Sequence, residues 1–413
     1  MKRWRKTAGR RGIALVLAAA FLLTACGTAH EEPEPEKITL ELWYYWDGSD
    51  VRQCLLGLVD EFNESHDEVQ IMAKYVPDED FKKRLALAIA DGEAPDLAIV
   101  DSSDVQYYNA MKPLVDVSGQ IEEAQYLEAA LASCHDTDDR ILGVPLGVNC
   151  LAFYYNETIL QERGIKVPQN LDEFVDAAER ATSGSVYGCA FPSLQSEESL
   201  FCFLPVLWAK GGTITNIASE ESREAFDVLR QLAKERGMSH RTVNMTLSDI
   251  SNEFAKGNIA MMFSTSGREQ QIYKANPGLN FKVGPLPTGE EKLTVIGGEV
   301  LTIVCEEHKD QSMEFVRFMS EPDRIKAYLD DMMYLSPRKD ILDWQTKKYP
   351  DQKKYAEYLA TGRVREFKPY WPAVSMAVAD VINQVILEED QEDTLEKLEK
   401  KIETIRGAHY EKD

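Results

Sequence analysis

The 413-residue chain is poor in cysteine (seven) and histidine (six), and past residue 25 it has no apolar run of membrane-spanning length. The cysteines after residue 26 are Cys54, Cys134, Cys150, Cys189, Cys202 and Cys305. Their wide, irregular spacing excludes a small disulfide-stapled scaffold. Buried thiols are expected, with a bridge such as Cys134 to Cys150 as the alternative. The histidines at 30, 66, 135, 240, 308 and 409 show no ligand-like spacing, which argues against a zinc site. There is no Gly-x-Ser-x-Gly elbow, no His-Glu-x-x-His and no Walker A loop, so motif support for those enzyme classes is missing. Asp136-Thr137-Asp138-Asp139 glances at a calcium loop but lacks the glycine and the distal glutamate, and reads as an exposed acidic turn. Neither a Gly/Ser-rich linker nor a short tandem repeat is present. Positive charge is also short, at 46 basic against 70 acidic residues. That balance disfavours nucleic acid and anionic lipid headgroups as partners.

What is there begins with Lys2, Arg3, Arg5, Lys6, Arg10 and Arg11, then the apolar run Ile13 to Leu23, then Thr24-Ala25-Cys26. The run is too short for a permanent membrane span. The pattern resembles the bacterial lipobox, which implies a signal peptide over residues 1–25 and lipidation of Cys26. Two acyl chains on one cysteine suffice for stable anchoring. Removing residues 1–25 takes six basic and no acidic residues, leaving 40 basic against 70 acidic, a formal charge of −30. Residues 26–36 are polar, acidic and proline-bearing, and read as a disordered spacer. The expected location is the extracellular face of a cell membrane. The basic signal suits a Gram-positive surface, and a Gram-negative periplasmic lipoprotein is the other setting.

The body is long enough for more than one core. Ile38 to Trp46 is β-rich and ends at Asp47-Gly48-Ser49. Leu55, Leu58, Val59 and Phe62 share one helical face. Val69 to Tyr75 alternates as a strand, Phe81 to Ile89 is a helix stopped by Gly92, and Leu97 to Val100 is a short covered strand. This β-α-β-α-β order predicts an α/β sheet with helices on both faces. The pattern returns later: a strand at Leu151 to Tyr155 with Asn156 as N-cap, a capping box at Asn170 to Glu173, and a buried strand at Ile259 to Phe263. Gly297-Gly298-Glu299 is expected to interrupt the approach to a strand at Val300 to Val304, and the tail is helical with Leu395, Leu398, Ile402 and Ile405 as its seam.

Several patterns, in order, carry a family resemblance. They are the lipobox, LELWYYWDGS, LAIADGEAPDLAIVD (87–101), GVPLGVNCLAFYYNETIL (143–160), LWAKGG (207–212), FAKGNIAMMFS (254–264), VGPLP (283–287), GGE (297–299) and MEFVRFMSEPDR (313–324). Together they resemble a family 1 extracellular solute-binding protein of an ABC importer, similar to the maltose-binding type. The resemblance implies the type II periplasmic-binding-protein-like two-lobe α/β fold, with a ligand cleft between lobes joined by hinge crossings. It implies crossings near 145–150, 293–299 and 337–345. One lobe would hold 37–148 plus 297–340 and the other 149–296 plus 341–413. The implied ligand is a carbohydrate, the implied partners are the membrane permease subunits, and no cofactor or metal is expected.

A sugar needs aromatic plates for its C–H face and hydrogen-bonding groups for its rim. Ligands of open α/β sheets sit beyond the carboxyl ends of strands. Trp46 and Asp47 end the first strand and are expected at the cleft, while Trp43 and Tyr45 are assigned to the core. Asp101 and Ser102 follow the third strand and either contact sugar or cap the next helix; Asp96 is assigned a structural role in its own turn. Asn149 reaches the ligand from the first crossing or serves as a turn residue. Trp208 resembles the family's stacking plate in the second lobe, or packs in the core. Ser266 and Arg268 close on the ligand or open a capped helix. Gly298 permits close backbone approach, and Glu299 beside it offers a carboxylate. Trp371 stands near where the family often supplies an aromatic.

The expected mechanism is capture by a monomer whose lobes close on an oligosaccharide, without enzymatic change. The alternatives are a secreted glycoside hydrolase with a carboxylate pair and a binding protein for a non-sugar solute.

Overall fold

The computed structural model describes residues 37–46, 49–332 and 334–410. The expected signal peptide, Cys26, the spacer over 26–36, and Asp47 lie outside the described residues. Among the described residues nine strands form one sheet, seven of them in the order β2 (Val69–Tyr75), β1 (Ile38–Tyr44), β3 (Leu97–Asp101), β8 (Thr294–Ile303), β4 (Val144–Asn156), β6 (Ile259–Thr265) and β5 (Tyr187–Ala190). Two short strands lie off this path: β7 (Phe281–Gly284) pairs with β4, and β9 (Gly362–Val364) pairs with β8.

The β1–β3 and β5–β6 pairs are parallel, as their helical crossovers require. Leu97 to Val100 is buried on both faces, the reason it reads as an unbroken apolar run. Two strands, β4 and β8, are shared between a first group, β2, β1 and β3, and a second group, β6, β5 and β7. The first part of β4 pairs antiparallel with β8, and its second part pairs with β6 and β7. β8 pairs with β3 over Glu299–Ile303 and with β9 over Thr294–Ile296.

Each group has its own core. In the first, helix Ser49–Ser65 lays Phe62 against Phe315 and Phe318 of helix Lys309–Met319, with ring centroids 5.1 and 5.4 Å apart. In the second, Phe263 of β6 stacks between Phe191 and Phe174 at 5.4 and 5.2 Å. The opposite face of β4 turns Tyr154 toward Phe254, Phe281 and Tyr355. The helices Trp371–Ile386 and Thr394–Tyr410 complete the second core, with Leu395, Leu398 and Ile402 buried.

Several expectations change. Gly297-Gly298-Glu299 does not interrupt a strand: β8 runs through it, because Gly298 adopts φ +155° and lets β4 come close. Likewise, the strand expected at Leu151 begins earlier, at Val144. Asn156 caps its helix as expected, accepting from Ile159 N. At Asn170 the cap also forms, but the Glu173 carboxylate reaches Gln169 N at 2.9 Å rather than closing the box on Asn170 N. Cys134 and Cys150 are not bridged; both are buried thiols, pushed up to about 12 by burial. Asp136 to Asp139 is a turn in which Asp136 accepts from the Arg140 guanidinium at 2.6 Å.

Candidate functional site

The strand ends converge where β4 crosses β8. Asp101, the last residue of β3, lies opposite Glu299 of β8. On the far side of β8, Gly147, Val148 and Asn149 lie opposite Glu299, Gly298 and Gly297, past a bulge in β4. β6 ends beside Leu151 at Thr265, so Ser266 follows directly. Asp101, Ser102, Asn149, Ser266, Gly298 and Glu299 are therefore brought to one place. Ser102, Gly147, Gly298, Glu299, Val364 and Phe367 are among the residues around a void of about 10 Å³ there, room for one water.

A buried guanidinium that the sequence reading missed dominates this crossing. Arg365 follows β9, and its side chain is 1% exposed. Its Nη2 lies 2.9 Å from Asp101 and donates to Ser102 Oγ at 3.2 Å. Its Nη1 donates to Glu197 Oε1 at 2.8 Å and to Ser103 Oγ at 3.2 Å. The guanidinium carbon stands 5.1 Å from the Phe201 ring centroid. Burial works against its charge, but Asp101 and Glu197 outweigh that and hold its pKa above the usual value. Glu197 opens helix Glu197–Ala209 and also accepts from Trp371 Nε1 at 3.1 Å and from Ser375 Oγ.

Asp101 fills the capping role left open for it. It accepts from Ser103 N at 2.7 Å, capping the short 3₁₀ turn Ser102–Asp104, and it faces Arg365. Burial would raise its pKa, yet Arg365 and Ser103 lower it on balance. The neighbouring Asp104 goes the other way. Burial pushes it up to about 6, against Lys82 at 2.8 Å, with the charge of Asp101 adding to the rise.

Glu299 is buried and accepts from Tyr334 Oη at 3.0 Å. Burial first, then that carboxylate, drives the Tyr334 phenol well above its usual pKa. Asn149 Oδ1 and Ser266 Oγ are buried with no hydrogen-bond partner among the described residues, a costly condition for groups of this kind.

The remaining expectations meet different outcomes. Ser266 does not cap a helix: the N-cap of helix Arg268–Ala275 is Gly267. Arg268 donates to Gln271 Oε1 at 2.9 Å. Trp46 is buried, 5.6 Å from the Tyr328 ring, and does not offer an open face. Trp43 is buried as expected and Tyr45 packs partly buried on Phe81. Asp96 accepts from Glu41 N at 2.8 Å and sits 3.0 Å from His308, in keeping with a structural role. Trp208, at the end of its helix, is partly buried against the second core with Arg363 5.9 Å from its ring. Trp371 corrects the expectation most clearly. It is 1% exposed inside the second core, because its helix buries that face and Glu197 takes its N–H. No cluster of side chains suited to a metal ion occurs among the described residues.

This architecture has known relatives. Residues 57–357 match the model of a family described as bacterial extracellular solute-binding protein. The chain is 22% identical to the melibiose/raffinose/stachyose-binding protein MelE of Bacillus subtilis, over 74% of this chain and 76% of that one. It is 26% identical to the multiple sugar-binding protein of Streptococcus mutans, over 43% of this chain and 41% of that protein's length. Among solved structures, an ABC transporter solute-binding protein of Thermotoga lettingae bound with α-D-tagatose superposes with a TM-score of 0.81 at 19% identity, covering 89% of this chain and 100% of that one. With the family model spanning most of the chain and the fold shared over 89% of it, the protein belongs to the bacterial extracellular solute-binding proteins and has their two-lobed α/β fold.

Proposed function

We propose that the protein captures a carbohydrate for an ABC importer by hinged closure and releases it unchanged to the permease. The observation that carries this is the gathering of Asp101, Ser102 and Ser266 at strand ends beside Asn149 and Glu299, which lie within the two shared strands where they cross. Two of these, Asn149 and Ser266, hold buried oxygens with unused hydrogen-bonding capacity. Sugar hydroxyls are donors and acceptors at once, so such a rim suits them. The names of the two sugar-binding relatives support a carbohydrate, and an oligosaccharide fits both.

In this reading the hinge lies in β4 and β8. The lobes are 37–148 plus 297–340 and 149–296 plus 341–413. Closure contributes the second set of contacts, so ligand shifts the equilibrium by its differential affinity for the closed form. Residues 1–25 are removed, Cys26 carries lipid, and the protein works as a monomer on the outer face of the membrane.

Isothermal titration with mono- to tetrasaccharides tests the proposal, with mass spectrometry of the recovered ligand. Saturable binding of an intact sugar is the expected outcome. Heat-silent titration across the panel removes the carbohydrate reading, and a cleaved sugar removes capture without chemistry.

A further inference from the structure

The Arg365 cluster has an arrangement that substrate capture by itself does not require. The segment carrying Arg365 is tied to β8 through β9, where Val364 lies opposite Ile296. Asp101 is tied to the same strand three residues further on, opposite Glu299. Between these two anchor points lie Gly297 and Gly298. Gly298 holds φ +155°, a conformation few other residues adopt. Rotation of the backbone there separates the anchors, and with them Arg365 from Asp101.

The two sides of the cluster differ in kind. Glu197 and Phe201 hold the guanidinium from a helix of the second core, and Trp371 and Ser375 of another helix donate to Glu197 in turn. Asp101, Ser102 and Ser103 reach it from the end of β3 in the first group of strands. The contacts from β3 run across the glycine pair, and those from Glu197 do not. The void beside them is about 10 Å³, room for one water. A sugar entering at this crossing has to take over the contacts that Arg365 makes to Asp101, Ser102 and Ser103.

We propose that Arg365 is a latch between the lobes: its bonds to Asp101, Ser102 and Ser103 hold the jaws shut across the Gly297–Gly298 hinge, and the ligand competes with it for those groups. Arg365 thereby helps set specificity. A ligand that offers hydroxyl donors to Asp101 and acceptors to the freed guanidinium displaces the latch without leaving either charge unsatisfied. A ligand lacking them deprives Asp101 of its counter-charge and leaves the buried guanidinium to Glu197. The competition rests on the proposed sugar site, whereas the latch itself rests on the fold.

The test is small-angle neutron scattering of the full-length chain in contrast-matched detergent, with no sugar added. Arg365→Gln and Asp101→Asn are each expected to raise the radius of gyration above that of the unsubstituted chain. The double variant is expected to add nothing to either single change, since both break one contact. Arg365→Lys, which keeps the charge but loses the fork, is expected to fall between. Circular dichroism confirms that each variant is folded, and Asp101→Asn serves if Arg365→Gln does not fold. Identical profiles for all chains overturn the latch. Opening by Arg365→Gln without opening by Asp101→Asn also overturns it, because Arg365 then acts through Glu197 within one lobe. Saturating sugar is expected to restore one compact profile. If the variants open as expected and no sugar binds, the carbohydrate reading fails and the latch stands.

Discussion

A Cβ placed on Gly298 would lie 2.2 Å from the carbonyl oxygen of Gly147, closer than any side-chain carbon can sit to backbone. This contact lets β4 and β8 cross within hydrogen-bonding distance, and it places Glu299 and Asn149 on opposite sides of one seam.

Gly298→Ala is therefore expected to destabilise the chain by about 3 kcal/mol or more, since overpacking against backbone adds to the cost of positive φ. Gly92 provides the control. It ends helix Asp78–Asp91 with φ +77°, and nothing lies within 4 Å of the position a Cβ would take there. Gly92→Ala bears the conformational cost alone, on the order of 1 kcal/mol. Urea unfolding midpoints of the two variants separate steric from conformational penalties.

Ser266 should separate stability from binding. Ser266 Oγ is buried without a partner among the described residues, so Ser266→Ala removes an unsatisfied polar atom. The expected result is unchanged stability or a gain of about 1 kcal/mol. If the hydroxyl serves the ligand, sugar affinity falls by about tenfold, the worth of one hydrogen bond. Differential scanning fluorimetry and titration calorimetry on one preparation read both effects.

Glu197 should behave in the opposite way. It is the partner of Arg365, Trp371 and Ser375 within the second core. Glu197→Ala leaves a buried guanidinium short of a counter-charge and is expected to cost about 3–5 kcal/mol. Glu197→Gln keeps an acceptor oxygen for the donors and is expected to cost less. Thermal melts of the two variants show whether the charge or the hydrogen bonds matter more.

The strand-end positions were readable because a short apolar run such as Leu97 to Val100 announces a covered strand, and ligands gather where such strands stop. That logic picked out Asp101, Ser102 and Ser266, while Glu299 was marked by the glycine pair before it. It could not find Arg365 or Glu197. Arg365 lies in Gly362 to Phe367, where alternating charge reads as a solvated edge, and Glu197 opens a helix among other acidic residues, as surface caps do. Their meeting is a tertiary event, 168 residues apart in sequence. The aromatic candidates failed for a related reason. A tryptophan carries the same signal whether it plates a sugar or fills a core, and Trp46 and Trp371 fill cores.

Asp104 should make stability depend on pH with a sign opposite to that of an ordinary paired carboxylate. Its folded-state pKa is raised to about 6 by burial, with Asp101 and Glu197 adding to the rise and Lys82 opposing it. A raised pKa means that the folded chain binds the proton more tightly than the unfolded chain. The associated stabilisation is complete below the unfolded value and is lost as pH rises through 6. Asp104→Asn removes this dependence, and Lys82, whose side chain is 37% exposed, keeps access to water. The stability of the unsubstituted chain minus that of Asp104→Asn should therefore increase by about 2 kcal/mol as pH falls from roughly 7.5 to 4.5. Asp101, held low on balance, keeps its charge over that window and drops out of the difference. Urea unfolding of both chains at several pH values measures it. A flat difference would show that Asp104 keeps its charge throughout and that Lys82 outweighs burial.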